Sequence, residues 1–135
     1  MANASAHSRI EGFTDKQITW VGEYDFANDT GAAATYSLGT FGHKMLVLSG
    51  VAYVETGCTS SGSATVIIGA STADVDAVLD VTSGAVANLT VGTTHTETAA
   101  VNLVVASGET LDLTIATAAL TAGKIKVILE CIKVA

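Results

Sequence analysis

Proline is absent from this 135-residue chain, where average usage of about 5% would supply roughly seven. Cations are scarce too: Arg9 is the one arginine, and 6 Lys+Arg stand against 13 Asp+Glu, a formal net charge of −7. Aromatic residues make up 5% and charged residues 14%. Each shortage excludes a class of protein. A polyproline or collagen-like rod cannot be built without proline. A chain so poor in cations lacks the basic surface that displaces counterions from phosphates, so no nucleic-acid partner is expected. Disordered chains are rich in charge and poor in apolar residues, whereas this one is 49% hydrophobic. Mean hydropathy is positive, +0.49, yet the longest apolar run, Met45 to Val54, is ten residues broken by Ser49 and Gly50. A membrane helix needs about 20, so no membrane partner is expected. The first nine residues carry no apolar core of a signal peptide, and synthesis in a cytoplasm without export by that route is expected. Two cysteines make no disulfide framework. Cys58 lies in a turn-like Gly-Cys-Thr-Ser-Ser-Gly segment and Cys131 in an apolar strand pattern, and both read as reduced thiols.

What is present reads as strand. Ile125, Val127, Leu129 and Cys131 alternate with Lys124, Lys126 and Glu130, the period of a strand with one buried face. Leu111, Leu113 and Ile115 alternate with Asp112 and Thr114, and Val101, Leu103 and Val105 form a further run. Residues 116–123 read as a connection ending on the turn glycine Gly123, and Ser107-Gly108-Glu109 as a tight turn. Residues 16–27, 34–40, 44–56, 64–69 and 77–82 are the other strand candidates. Nineteen threonines and fifteen valines suit a pleated surface. About eight short strands with turn signals between them predict an all-β fold, an antiparallel β-sandwich, as one domain over residues 16–135. Residues 1–15 are small, polar and aperiodic, and read as a flexible N-terminal arm.

One strand departs from the half-wet pattern. Strict alternation over residues 44–54 puts Met45, Val47, Val51 and Tyr53 on one side and Leu46, Leu48, Ala52 and Val54 on the other. Both sides are apolar, so the second is covered either by an arm of the same chain or by another subunit. An oligomer interface at Leu46, Leu48, Ala52 and Val54 is the reading adopted.

Catalytic chemistry is hard to find. His7, His43 and His95 share no metal-site spacing with one another or with cysteine, and no nucleophile elbow, dinucleotide or phosphate-loop pattern occurs. Asp74, Asp76 and Asp80 lack the glycine and glutamate of a calcium loop. The first two read as a solvated connection and Asp80 as an outward side chain of the next strand. No enzyme, metal or cofactor is expected. Charge placement says more: from Met45 to Gly123 there is no Lys or Arg, but seven acidic residues, an acidic body with basic ends.

The run Leu111-Asp-Leu-Thr-Ile-Ala-Thr-Ala-Ala-Leu-Thr-Ala-Gly-Lys-Ile-Lys-Val-Ile-Leu-Glu, with Gly-Ser-Ala-Thr-Val-Ile-Ile-Gly-Ala at 62–70 and a Tyr-Asp-Phe-Ala strand near the start, resembles capsid decoration (cement) proteins of tailed bacteriophages. The resemblance implies a jelly-roll-like sandwich and a homo-oligomer, a trimer ahead of a dimer. It also implies a place on the outer surface of the capsid, bracing the major capsid protein. It carries no catalytic residues. On this reading the strand at 44–54 packs subunits together, and Arg9, Ile10 and Phe13 of the arm contact the shell. Two rivals stand beside it. A carbohydrate-binding sandwich would stack sugars on exposed aromatics, for which Trp20, Tyr24 and Phe26 on one strand face are the candidates, although core packing is the favoured reading of the three. Another virion part, a head-fibre base or tail protein, would show the same features.

Overall fold

The strands expected from alternation form, and nested pairing arranges them in two layers. The computed structural model describes residues 17–134. The proposed arm and its candidate contacts Arg9, Ile10 and Phe13 lie outside the described residues. In chain order the elements are β1 (Gln17–Asp25), a single helical turn α1 (Phe26–Asp29), β2 (Thr35–Thr40), β3 (Met45–Ser60), β4 (Thr65–Ala70), β5 (Asp74–Leu79), β6 (Thr94–His95), β7 (Leu103–Val105), β8 (Thr110–Ala116) and β9 (Leu120–Lys133). Short 3₁₀ turns at Val86–Asn88 and Thr98–Ala100 flank β6.

Every pairing is antiparallel, and the pairs nest: β1 with β9, β2 with β8, β3 with β6 and β7, β4 with β5. One long ribbon folded back on itself and rolled gives this order, which defines a jelly roll. Rolling brings β9 beside β3 and β8 beside β4. The result is a five-stranded sheet ordered β1-β9-β3-β6, with β7 also on β3, facing a four-stranded sheet ordered β2-β8-β4-β5.

The inner faces meet in one core. Ile125, Val127, Leu129 and Cys131 of β9 and Leu111, Leu113 and Ile115 of β8 are buried, as their alternation predicts. Tyr24 is fully buried and packs edge-on to Tyr36 with ring centroids 5.6 Å apart. Trp20 covers the open side between β1 and β2, tilted against Phe41 at 5.1 Å, and Phe26 of α1 packs on the same core. Of the three aromatics that could serve as a sugar platform, Tyr24 is core, and Trp20 and Phe26 pack half-buried against it.

Four local expectations are corrected. Cys58 belongs to β3, which runs on to Ser60, and is buried rather than in a turn. Gly123 is a buried residue of β9, and the turn before it falls at residues 117–119, where Thr117 takes φ 74°. A Cβ at Gly123 would stand 2.6 Å from the Cys58 sulfur, and φ at this glycine is +148°; the residue permits close approach of β3, not reversal. Asp74 and Asp76 lie in β5, while Asp80 follows it and caps the next turn, its Oδ1 accepting from the Ser83 N–H at 2.8 Å. Strict alternation also fails in β3. The register against β9 steps from Val47↔Cys131 to Ser49↔Glu130, leaving Leu48 as the extra residue of a bulge. Beyond it the parity reverses, and Gly50, Ala52 and Val54 face the core.

Candidate functional site

Among the described residues no group of three or more His, Cys, Asp or Glu is placed to hold a metal ion. His7 is outside the described residues. His43 is exposed in the loop before β3, and His95 lies in β6, its Nε2 3.2 Å from the Thr93 hydroxyl. The two cysteines sit in different parts of the core, and burial pushes each thiol up to about 11, so neither is a thiolate nucleophile near neutrality. Asp74 and Asp76 form a carboxyl pair along β5. The hydrogen bond with Asp74, with burial and its charge adding to it, raises the Asp76 pKa.

One acid does structural work that the sequence does not announce. Glu109, only 8% exposed, accepts from the N–H of Thr72 (2.7 Å) and of Ala73 (2.6 Å) through Oε2. Its Oε1 accepts from the Ala106 N–H at 3.0 Å. Burial pushes its carboxyl up, but the three amides outweigh that, and the net pKa is lowered. The side chain joins the turn before β5 to the turn before β8.

The outer faces of the two sheets differ sharply. That of the four-stranded sheet is hydroxylic and acidic: Thr35 and Thr114 share a hydrogen bond at 3.0 Å, and Thr110 donates to Asp112 at 2.7 Å. That of the five-stranded sheet carries exposed and half-buried apolar residues. Registered residues form two rows, Val21–Ile128–Val51 across β1, β9 and β3, and Ile132–Leu46–Val104 across β9, β3 and β7. Leu48 at the bulge adds a half-buried side chain between them. Val21 is 54% and Val104 48% exposed. Between the two rows runs a polar one, Thr19–Glu130–Ser49. Glu130 accepts from Gln17 and Thr19 at 2.9 and 3.0 Å. Past the Val21 row, Lys126 pairs with Glu55 at 3.0 Å, and Lys124 with Glu55 at 3.5 Å and Glu23 at 3.9 Å. The Lys126 hydrogen bond, first among several lysine contacts, lowers the Glu55 pKa.

Against the sequence expectation, only Leu46 and Leu48 of the four proposed interface residues lie on this surface. Ala52 and Val54 are fully buried in the sandwich core, because the bulge at Leu48 reverses the side on which later residues fall. Val51 takes their place. Val21, Val104, Ile128 and Ile132 were not singled out. The signal was present for two of them, since Ile128 and Ile132 fall on the same side of β9 as Lys124, Lys126 and Glu130.

The nested order defines the protein's class as a jelly-roll β-sandwich. The fold is similar over 89% of this chain to 86% of a chain in the structure described as "Cyanophage Pam1 capsid asymmetric unit", with TM-score 0.62 and 13% sequence identity. A weaker likeness, TM-score 0.49 at 12% identity over 87% of this chain and 92% of the other, is to the "Acidic stable capsid structure of Helicobacter pylori bacteriophage KHP30". No protein-family profile and no curated protein sequence matches the chain. The chain thus has a fold found in a phage capsid structure. No helix among the described residues is long and apolar enough to cross a membrane.

Proposed function

We propose that this chain is a structural protein of a tailed-phage virion: a decoration (cement) protein seated on the outside of the head, where it binds the major capsid protein and stabilises the lattice. The observation that carries the reading is the jelly roll shared, over 89% of the chain, with a chain of a phage capsid asymmetric unit. The sequence resemblance points the same way. In this role the protein is a homotrimer made in the host cytoplasm, has no enzymatic activity and needs no cofactor. Arg9, Ile10 and Phe13 contact the shell. Stabilisation comes from apolar area buried between capsomers, at about 25 cal/mol per Å², repeated at many equivalent sites so that small contacts sum.

The test is to add the purified chain to heads that lack decoration and reconstruct the particles by electron cryo-microscopy. Density on the outer surface over the major capsid protein is expected; density confined to a tail or fibre, or no binding, overturns the proposal. Removing residues 1–15 is expected to abolish occupancy, and unchanged occupancy refutes the arm contact.

A further inference from the structure

We infer that the outer face of the five-stranded sheet is the surface through which copies of this chain pack against one another. The inference does not rest on the virion location, since it follows from shape and charge alone.

Size is the first argument. Strands stand about 4.8 Å apart and rise about 3.4 Å per residue. The two apolar rows, Val21–Ile128–Val51 and Ile132–Leu46–Val104, lie four residues apart along β9, a separation of about 14 Å at that rise. Between them runs the polar row Thr19–Glu130–Ser49, its carboxylate held within the copy by Gln17 and Thr19. The whole face, β9, β3 and β1 with the short β6 and β7 at its edge, covers on the order of 700 Å² at the same spacings. A standard protein–protein interface takes about 800 Å² from each partner, with an apolar centre and a polar rim. This face approaches that area, and its two apolar rows are set among polar groups already bonded within the copy.

Charge selects the occupant. The chain as a whole carries −7, so most pairs of its surfaces repel when two copies meet. The four-stranded side bears Asp74, Asp76 and Asp112, and none of the four described lysines belongs to its strands. On the outer face of the five-stranded sheet, Glu23 and Glu55 are instead paired with Lys124 and Lys126, and Glu130 is held by Gln17 and Thr19. Its charges nearly cancel within one copy, and the two rows beside Glu130 offer Val, Ile and Leu. Of the surfaces described, this is the one on which a second acidic copy can be seated without like-charge repulsion. Three such faces around a three-fold axis, or two around a two-fold, satisfy the same chemistry.

Sedimentation velocity of the full chain, from about 1 to 100 µM, tests this by mass action. The wild type is expected to sediment as a dimer or trimer. Val51→Glu and Ile128→Glu each place an unpaired carboxylate at the centre and are expected to weaken association at least about a hundredfold. Val21→Glu lies on the edge strand at 54% exposure, so a folded monomer accommodates it. It decides the matter if the central variants fail to fold, which circular dichroism reports. Val75→Glu, equally exposed on β5, is expected to leave association unchanged. A wild type that is monomeric at the highest concentration would mean that residues 1–16 or a different protein covers this face, and overturns the proposal. An oligomer that survives Val21→Glu undiminished overturns it as well.

Discussion

Glu109 is the most informative residue to perturb, because its carboxylate satisfies three backbone donors that have no other partner among the described contacts. Glu109→Gln keeps the shape and removes the charge. The amide can leave its oxygen toward Thr72 and Ala73, but its NH₂ then meets the Ala106 N–H, donor against donor. One nearly buried donor loses its acceptor, at about 1–3 kcal/mol, and two further bonds lose the charge assistance that makes them roughly twice as strong as neutral ones. The expected loss is about 3 kcal/mol at pH 7, against a total of about 5–15 kcal/mol for a domain of this kind. Urea unfolding at fixed protein concentration measures it.

The pH dependence gives a second, independent reading. Because the folded pKa of Glu109 is depressed, its contribution is fully present above the unfolded carboxyl value of about 4.3 and is lost as pH falls through the folded pKa. Protonated Glu109 resembles the glutamine variant. The stability difference between wild type and Glu109→Gln should hold from pH 7 to about 5 and shrink below the unfolded pKa. A difference under about 0.5 kcal/mol at pH 7, or one that is the same at pH 7 and pH 3, would refute the account of this residue as a charged clamp.

The remaining predictions concern the core and the ladder. Gly123→Ala forces a Cβ to 2.6 Å from the Cys58 sulfur at φ +148° and should cost about 2–4 kcal/mol, read as a lowered unfolding midpoint; Cys58→Ala in the same chain should recover part of it. With both thiols buried and pushed up to about 11, iodoacetamide at pH 7.5 should leave the native chain unlabelled and modify both cysteines once it is unfolded in urea. A chain ending at residue 119 lacks β9, which lies between β1 and β3, and should show no cooperative unfolding transition; a cooperative one would contradict the pairing described here.

How much of this was legible in the sequence depended on whether alternation was interrupted. β8 and the second half of β9 could be read residue by residue because Leu111, Leu113, Ile115 and Ile125 to Cys131 alternate with polar neighbours. β3 could not, because it is apolar on both sides: slipping its parity by one residue leaves the pattern looking the same, so nothing in the string marks the bulge at Leu48. The two-faced character was visible, but the identity of the outward residues was not, and Ala52 and Val54 were therefore assigned to the wrong side. Asp74 and Asp76 read as a connection because an edge strand with acidic side chains lacks the apolar alternation that identifies a strand. Glu109 was invisible for a different reason. Its partners Thr72 and Ala73 contribute backbone amides, which every residue has, from 37 and 36 positions away.

The charge pattern shows how topology turns a linear feature into a surface. Along the sequence, the described lysines fall in two distant places, Lys44 before β3 and Lys124, Lys126 and Lys133 in β9, separated by seven acidic residues. Nothing in one dimension brings those places together. A ribbon that nests first strand on last must do so, because rolling it places β9 between β1 and β3. The lysines of both places then converge on one sheet, while Asp74, Asp76 and Asp112 stay with the strands of the other. The apolar residues obey the same geometry: Val21, Val51 and Ile128, more than 100 positions apart at the extremes, become neighbours in one registered row. A protein whose two broad faces differ this much in charge and polarity cannot meet other molecules equally with both. The jelly roll here acts as a device for sorting a weakly patterned sequence into one hydroxylic, acidic face and one that carries two apolar rows.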